Sequence, residues 1–255
     1  METTGILPSL SVSVEQTPKS ILKNGVSEVV LTNADYITVK HLPGVPLKET
    51  VRAVKTLGER DLVSGSRIIP HIAARNISSK TELTRQVKNL VDLGVTSALL
   101  VGGNTPDSAK CPYHEDDDLI KPLRKHGIYN VLCAVYPDRY SPSYYGYFKF
   151  DKHYIGGVSE ICLSPRKLRS YPSARIGVPS KGDFSGLYKY MKMAGTAPSP
   201  RHPLRNVPGL LHYMTYDGFA TTRFAQKLFS THTNFHIYDF GRIEETVEEL
   251  VETFS

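Results

Sequence analysis

A carboxyl group closing an alternating strand is the first feature of this chain that could do chemistry. In LSVSVE (10–15), Leu10, Val12 and Val14 share one face, and Ser11, Ser13 and Glu15 share the other. If the apolar row packs on helices, Glu15 points the opposite way, into an interior where a carboxyl group can transfer a proton. Gly102–Gly103 directly follows the apolar run TSALLV, and a pair without side chains lets backbone approach a ligand closely. The run Glu115–Asp118, preceded by His114, contains metal-ligand types, but consecutive acids at a helix start favour the helix dipole and water, so no metal is expected. The chain has no Gly-x-Gly-x-x-Gly after a strand, no Gly-x-x-x-x-Gly-Lys-Ser/Thr, no His-Glu-x-x-His and no Gly-x-Ser-x-Gly. The commonest nucleotide-binding, zinc-protease and serine-hydrolase patterns are therefore missing. Cys111, Cys133 and Cys162 are too far apart for a structural zinc site or a disulfide framework and are expected to be reduced thiols.

Such residues need elements to position them. Strand-like runs recur at 10–15, 35–41, 67–74, 96–103, 129–136, 157–164, 173–179 and 234–240. Helical patterns fall between them at about 47–58, 79–93, 115–126, 183–194, 219–229 and 243–254. The clearest is 79–93, where Ser78 or Ser79 can cap, Leu83, Val87, Leu90 and Val91 make a stripe, and Gly94 ends it. Eight strands alternating with helices predict an α/β chain folded as a (β/α)8 TIM barrel, with an open doubly wound sheet as the competitor. No repeat or linker divides the 255 residues, so a single domain over 1–255 is expected. Glu15 then stands at the carboxyl end of the first barrel strand, where barrel active sites are built.

The composition, 40% hydrophobic and 22% charged, excludes a disordered chain, and no apolar run is long enough for a spanning helix. The start METTGILPSLSVSV has neither the basic region nor the cleavage site of a secretory signal, so a cytoplasmic protein without membrane contact is expected. The net charge of +6 is local: residues 165–206 carry nine Lys or Arg against Asp183 alone, while the last helical stretch carries five Glu. With no recognised nucleic-acid motif beside it, the basic stretch reads as a solvated surface or as a site for phosphates or polycarboxylates.

Taken together, the strand ends resemble those of the methylenetetrahydrofolate reductase family in its short form, over most of the chain. The matching pieces, in order, are VSVEQTPK (12–19), IIPHIAAR (68–75), LLVGGNTP (99–106), CAVYPDRY (133–140) and FHIYDFGR (235–242). The resemblance implies a barrel that binds FAD at the carboxyl ends of its strands and passes a hydride from NADH or NADPH to methylenetetrahydrofolate, giving methyltetrahydrofolate for one-carbon metabolism and methionine biosynthesis. It implies Glu15 as the general acid, with a pKa raised by a dry barrel mouth. It also implies that His71 contacts the flavin, that Gly103 and Asn104 form the turn beside it, and that Tyr136, Asp138 and Tyr140 lie along the cofactor. Tyr190 would stack on the pterin or nicotinamide, and Arg201 and Arg205 would meet the glutamate tail of a folate if the basic stretch is not simply solvated.

The chain departs from the family pattern at four places. Asn104 stands for an Asp, Gly102 for an Arg, Leu163 for the Gln that holds the pterin, and His153, with Lys152 beside it, for a Lys near the flavin phosphates. These changes leave open a flavin-independent reductase, the same chemistry run oxidatively, and a non-catalytic folate-binding barrel. A homo-oligomer is compatible with the sequence, and no regulatory region of the longer family members is expected.

Overall fold

The computed structural model describes residues 9–59, 62–103, 112–145, 154–193 and 221–254. Eight parallel strands close into a barrel: β1 (Ser11–Gln16), β2 (Tyr36–Val39), β3 (Ile68–Ala73), β4 (Ser97–Val101), β5 (Asn130–Val135), β6 (Gly156–Ser159), β7 (Ala174–Pro179) and β9 (Asn234–Tyr238). Pairing of Ser11 with Asn234 and of Glu15 with Tyr238 joins the last strand to the first. Every predicted strand is present, and the barrel rather than the open sheet is the fold. A two-residue ribbon, β8 (Lys181–Gly182) with β10 (Gly241–Arg242), extends the carboxyl end of the barrel.

Helices α1 (Pro18–Asn24), α2 (Glu28–Asn33), α3 (Leu47–Glu59), α4 (Lys80–Asp92) and α5 (Ile120–Lys125) follow the first four strands in turn, two of them after β1. They are followed by α6 (Pro142–Tyr145), α7 (Pro165–Leu168), α8 (Phe184–Met193), α9 (Thr221–Gln226) and α10 (Ile243–Phe254). In α4 the Ser79 hydroxyl accepts the Glu82 N–H, the stripe Leu83, Val87 and Leu90 is fully buried, and Gly94 turns out at φ +79°. Helices α1 and α2 are absent from the periodicity reading. Each is held at its start by a side-chain cap, Thr17 or Ser27, and buries few residues.

Strand parity sorts the side chains. Val12, Val14, Ile37 and Ile72 face outward into the core shared with the helices, and the alternate residues fill the barrel. The interior is divided. On β3 to β6 it is closed by an apolar plug of Ile69, Leu99, Leu132 and Val158, whereas β1, β2 and β9 turn in the buried polar residues Ser13, Glu15, Thr38 and His236.

Among the described residues no helix is long and apolar enough to cross a membrane. Cys133 and Cys162 are buried free thiols, and Cys111 lies outside the described residues.

Candidate active site

Above the apolar plug, at the carboxyl ends of the strands, a cavity of about 370 Å³ opens. Its floor holds Glu15, which parity alone turned inward and which is 2% exposed. Lys40, one residue past β2 and in register with Tyr36 and Thr38, places Nζ 2.5 Å from Glu15 Oε1. His71 Nε2 on β3 lies 3.3 Å from Glu15 Oε2, and His236 Nε2 on β9 lies 3.8 Å from the same oxygen. Beneath them Ser13 Oγ meets His236 Nδ1 at 2.9 Å and donates to the Phe235 carbonyl at 3.2 Å. Tyr190 on α8 and Tyr238 on β9 wall the floor with ring centroids 5.4 Å apart, and Lys40 Nζ lies 5.7 and 5.8 Å from those centroids.

The electrostatics reverse one expectation. Burial alone would push the Glu15 carboxyl up, but the Lys40 ammonium, with His236 and His71 beside it, holds the group well below the usual carboxylate range. Glu15 thus carries a charge rather than a proton, because the dry barrel mouth also contains a cation.

Burial pulls His71 down from 6.5 to about 4 despite the neighbouring Glu15. His41 is also lowered to about 4 by burial, and its ring bridges two strands' surroundings: Nδ1 accepts the Ala73 N–H at 3.1 Å and Nε2 donates to the Val45 carbonyl at 3.0 Å. An unfolded chain takes up these protons near pH 6.5 and the folded one only near pH 4. Their contribution to stability is therefore fully present above pH 6.5 and is lost as the pH falls toward 4. The urea midpoint is expected to drop steadily across that interval, and a flat midpoint there would contradict neutral burial of the two rings.

Of the other sequence-predicted residues, Gly103, Tyr136, Tyr140 and Tyr190 line the cavity with Glu15 and His71. Burial and then Glu160 push the Tyr136 phenol up to about 12. Two residues are not brought to the cavity. Asp138, with its side chain 1% exposed, folds away to an ion pair with Lys167 on α7. Leu163 packs into the outer core, because β6 ends at Ser159 and the next inward position is Glu160, which does line the cavity. Asn104, Lys152, His153, Arg201 and Arg205 lie outside the described residues. In the acidic run Asp118 accepts the His114 and Glu115 N–H groups at 3.0 and 3.1 Å, the Tyr154 hydroxyl donates to Asp117 at 2.7 Å, and Glu115 and Asp116 join the cavity lining.

Lys40, Arg75, Glu160 and Tyr238 join the cavity lining without having been singled out in the sequence. Arg75 spans the rim, donating to the carbonyls of His114 at 2.9 Å and Gly103 at 3.0 Å and pairing with Glu115 at 3.2 Å. The signal for Lys40 and Tyr238 was available in the alternation of YITVK and FHIY.

No protein-family model and no curated protein sequence matches the chain. Among solved structures it is similar to tryptophan synthase of the a2b2 complex from Pyrococcus furiosus, at 11% identity and a TM-score of 0.55, covering 95% of this chain and 98% of that one. It is also similar to tryptophan synthase from M. tuberculosis, at 11% identity and a TM-score of 0.53, over 97% and 94% of the two chains. A third similar structure is the Yersinia pestis dihydropteroate synthase, at 10% identity and a TM-score of 0.53, over 97% and 92%. Identities this low bear on the fold alone, and they agree with the TIM barrel.

Proposed function

We propose that this barrel is an oxidoreductase of the methylenetetrahydrofolate reductase type, taking methylenetetrahydrofolate into the cavity and reducing it with NADH or NADPH. The observation that carries the reading is Glu15: an ionised, buried carboxylate at the carboxyl end of β1, facing a cavity walled by Tyr190 and Tyr238. Opening the five-membered ring of the substrate creates an iminium cation, and a fixed negative charge in a water-poor site stabilises such a cation far better than solvent does. The phenyl faces of Tyr190 and Tyr238 offer a flat apolar surface for a pterin.

The wall also suits a flavin ring. Backbone itself forms the surface at Gly102 and Gly103: a Cβ on Gly103, whose φ is +80°, would stand 3.2 Å from Ala73 Cβ and 3.3 Å from Asn76 Oδ1. Gly103, His71 and Tyr136 would hold the ring there. When bound, a flavin supplies a hydride relay between nicotinamide and folate.

The test begins with the absorbance spectrum of the purified protein and a flavin titration followed by fluorescence. Methylenetetrahydrofolate is then supplied with NADH and NADPH, with and without added FAD. Methyltetrahydrofolate formation is expected. Its absence under all four conditions, with folate still bound, would leave a non-catalytic folate-binding barrel.

A further inference from the structure

We propose that His41 is an acid-sensitive latch on the cavity mouth: its neutral ring ties the turn after β2 to the end of β3, and taking up a proton frees the Leu42–Pro43 edge of the cavity. The inference does not depend on the function proposed above, because no ligand takes part in the latch.

The partners of the ring fix its state. Pairing of β2 with β3 ends at Val39 and Pro70, and beyond it the Ala73 N–H meets the His41 ring instead of a strand carbonyl, at 3.1 Å from Nδ1. A backbone N–H can only donate, so Nδ1 carries no proton. Nε2 lies 3.0 Å from the Val45 carbonyl, which can only accept, so the proton sits there. A second proton would have to enter at Nδ1 and would set two donors face to face. The imidazolium therefore has no place in the closed latch, where the residue is buried.

What the latch releases is a short turn between two anchors. The Val45 N–H donates to the Leu42 carbonyl at 3.1 Å, and Gly44 between them has φ +70° at a point where an added Cβ would meet nothing within 4 Å. On one side the Lys40 N–H donates to the Gln16 carbonyl at 2.9 Å and its carbonyl accepts from Thr50 Oγ1 at 2.9 Å. On the other, Leu47 is fully buried at the start of α3. Between the anchors the turn is tied to the β3 side by His41 and by Asn76 Nδ2, which donates to the Leu42 carbonyl at 3.2 Å. Loss of the His41 tie opens the edge without drawing Lys40 away from Glu15.

The titratable groups that face the ring are Glu82 on α4, whose charge favours the imidazolium, and His71 on β3; Lys40, next in the chain, is turned to Glu15. Burial outweighs Glu82 and the Val45 bond and brings the ring from 6.5 down to about 4. A released ring titrates near 6.5, so the latch is at full strength above that pH and weakens as the pH falls toward 4. Over that interval the opening equilibrium rises by about a hundredfold.

The test is amide hydrogen exchange, followed by NMR on the full chain without ligand between neutral pH and pH 4, each rate being compared with that of an unstructured peptide at the same pH. Protection of the Ala73 N–H is expected to fall by about a hundredfold and to end below that of the Gly177 N–H, which is held in the barrel wall by Ser159 Oγ. His41→Asn puts an oxygen that does not titrate at the place of Nδ1, so its Ala73 protection should change by less than about threefold over the same interval. If that variant does not fold, the ring nitrogen shifts of the wild type decide alone: Nε2 protonated at neutral pH, and Nδ1 only in acid. Four results overturn the proposal: a proton on Nδ1 at neutral pH, Ala73 protection that ignores pH, a pH response that persists in His41→Asn, or equal protection of Ala73 and Gly177 in acid. The last would mean that the whole barrel opens rather than its mouth.

Discussion

Glu15→Gln is expected to lower kcat by about a hundredfold or more while leaving folate binding within about a factor of three. The amide has the shape of the carboxyl group, so the cavity keeps its walls, and the loss is that of one charge. Lys40 is left without its counter-ion, but its partial exposure to the cavity lets water solvate it, so the fold survives the change. In the proposed reaction the charge lies where the iminium cation would form, in a site closed below by the apolar plug of Ile69, Leu99, Leu132 and Val158. Binding is measured by folate fluorescence titration and turnover by product formation. Equal turnover in the variant and the wild type would remove Glu15 from the chemistry.

The second large effect is structural. Gly177→Ala should destabilise the protein by about 3 kcal/mol or more and empty the site of Tyr238. Gly177 is an inward position of β7, and a Cβ there would run into the Ser159 carbonyl oxygen of β6 and stand 2.7 Å from Tyr238 Cε2. The missing side chain is what lets the Tyr238 ring fold back, so that its hydroxyl donates to the Ser159 carbonyl at 3.0 Å while the Gly177 N–H donates to Ser159 Oγ at 2.8 Å. Neither carbonyl nor strand can give way without breaking the barrel wall. A urea midpoint equal to that of the wild type would show that β6 and β7 can separate at little cost.

Much of this was legible because a barrel is built from period-two strands. Alternation in LSVSVE sufficed to turn Glu15 inward, and the order of strands and helices sufficed for closure. Short helices α1 and α2 were not legible, since six or seven residues burying one or two side chains leave no periodic stripe; only their caps, Thr17 and Ser27, marked them. The sign of the shift at Glu15 was hidden for a different reason. Burial can be read from one strand, but the cation that outweighs it comes from the neighbouring strand, and the register of Glu15 with Thr38 is a tertiary fact. Asp138 and Leu163 were assigned by the family resemblance rather than by parity, and both lie beyond the ends of their strands, where one pairs with Lys167 and the other packs into the outer core.

The divided interior makes the cavity a handed receptor. The flank on β4 to β6 is lined low in the cavity by Leu99, Ala134 and Val158, and the flank running from β9 through β1 and β2 to His71 on β3 is charged and hydrogen-bonding. A flat heterocycle inside it cannot be turned over without laying its polar edge against Leu99 and Val158 and its greasy edge against Glu15. A trigonal carbon held in this way presents one of its two faces to an incoming group, so prochirality is resolved by which strands carry apolar residues rather than by any single side chain.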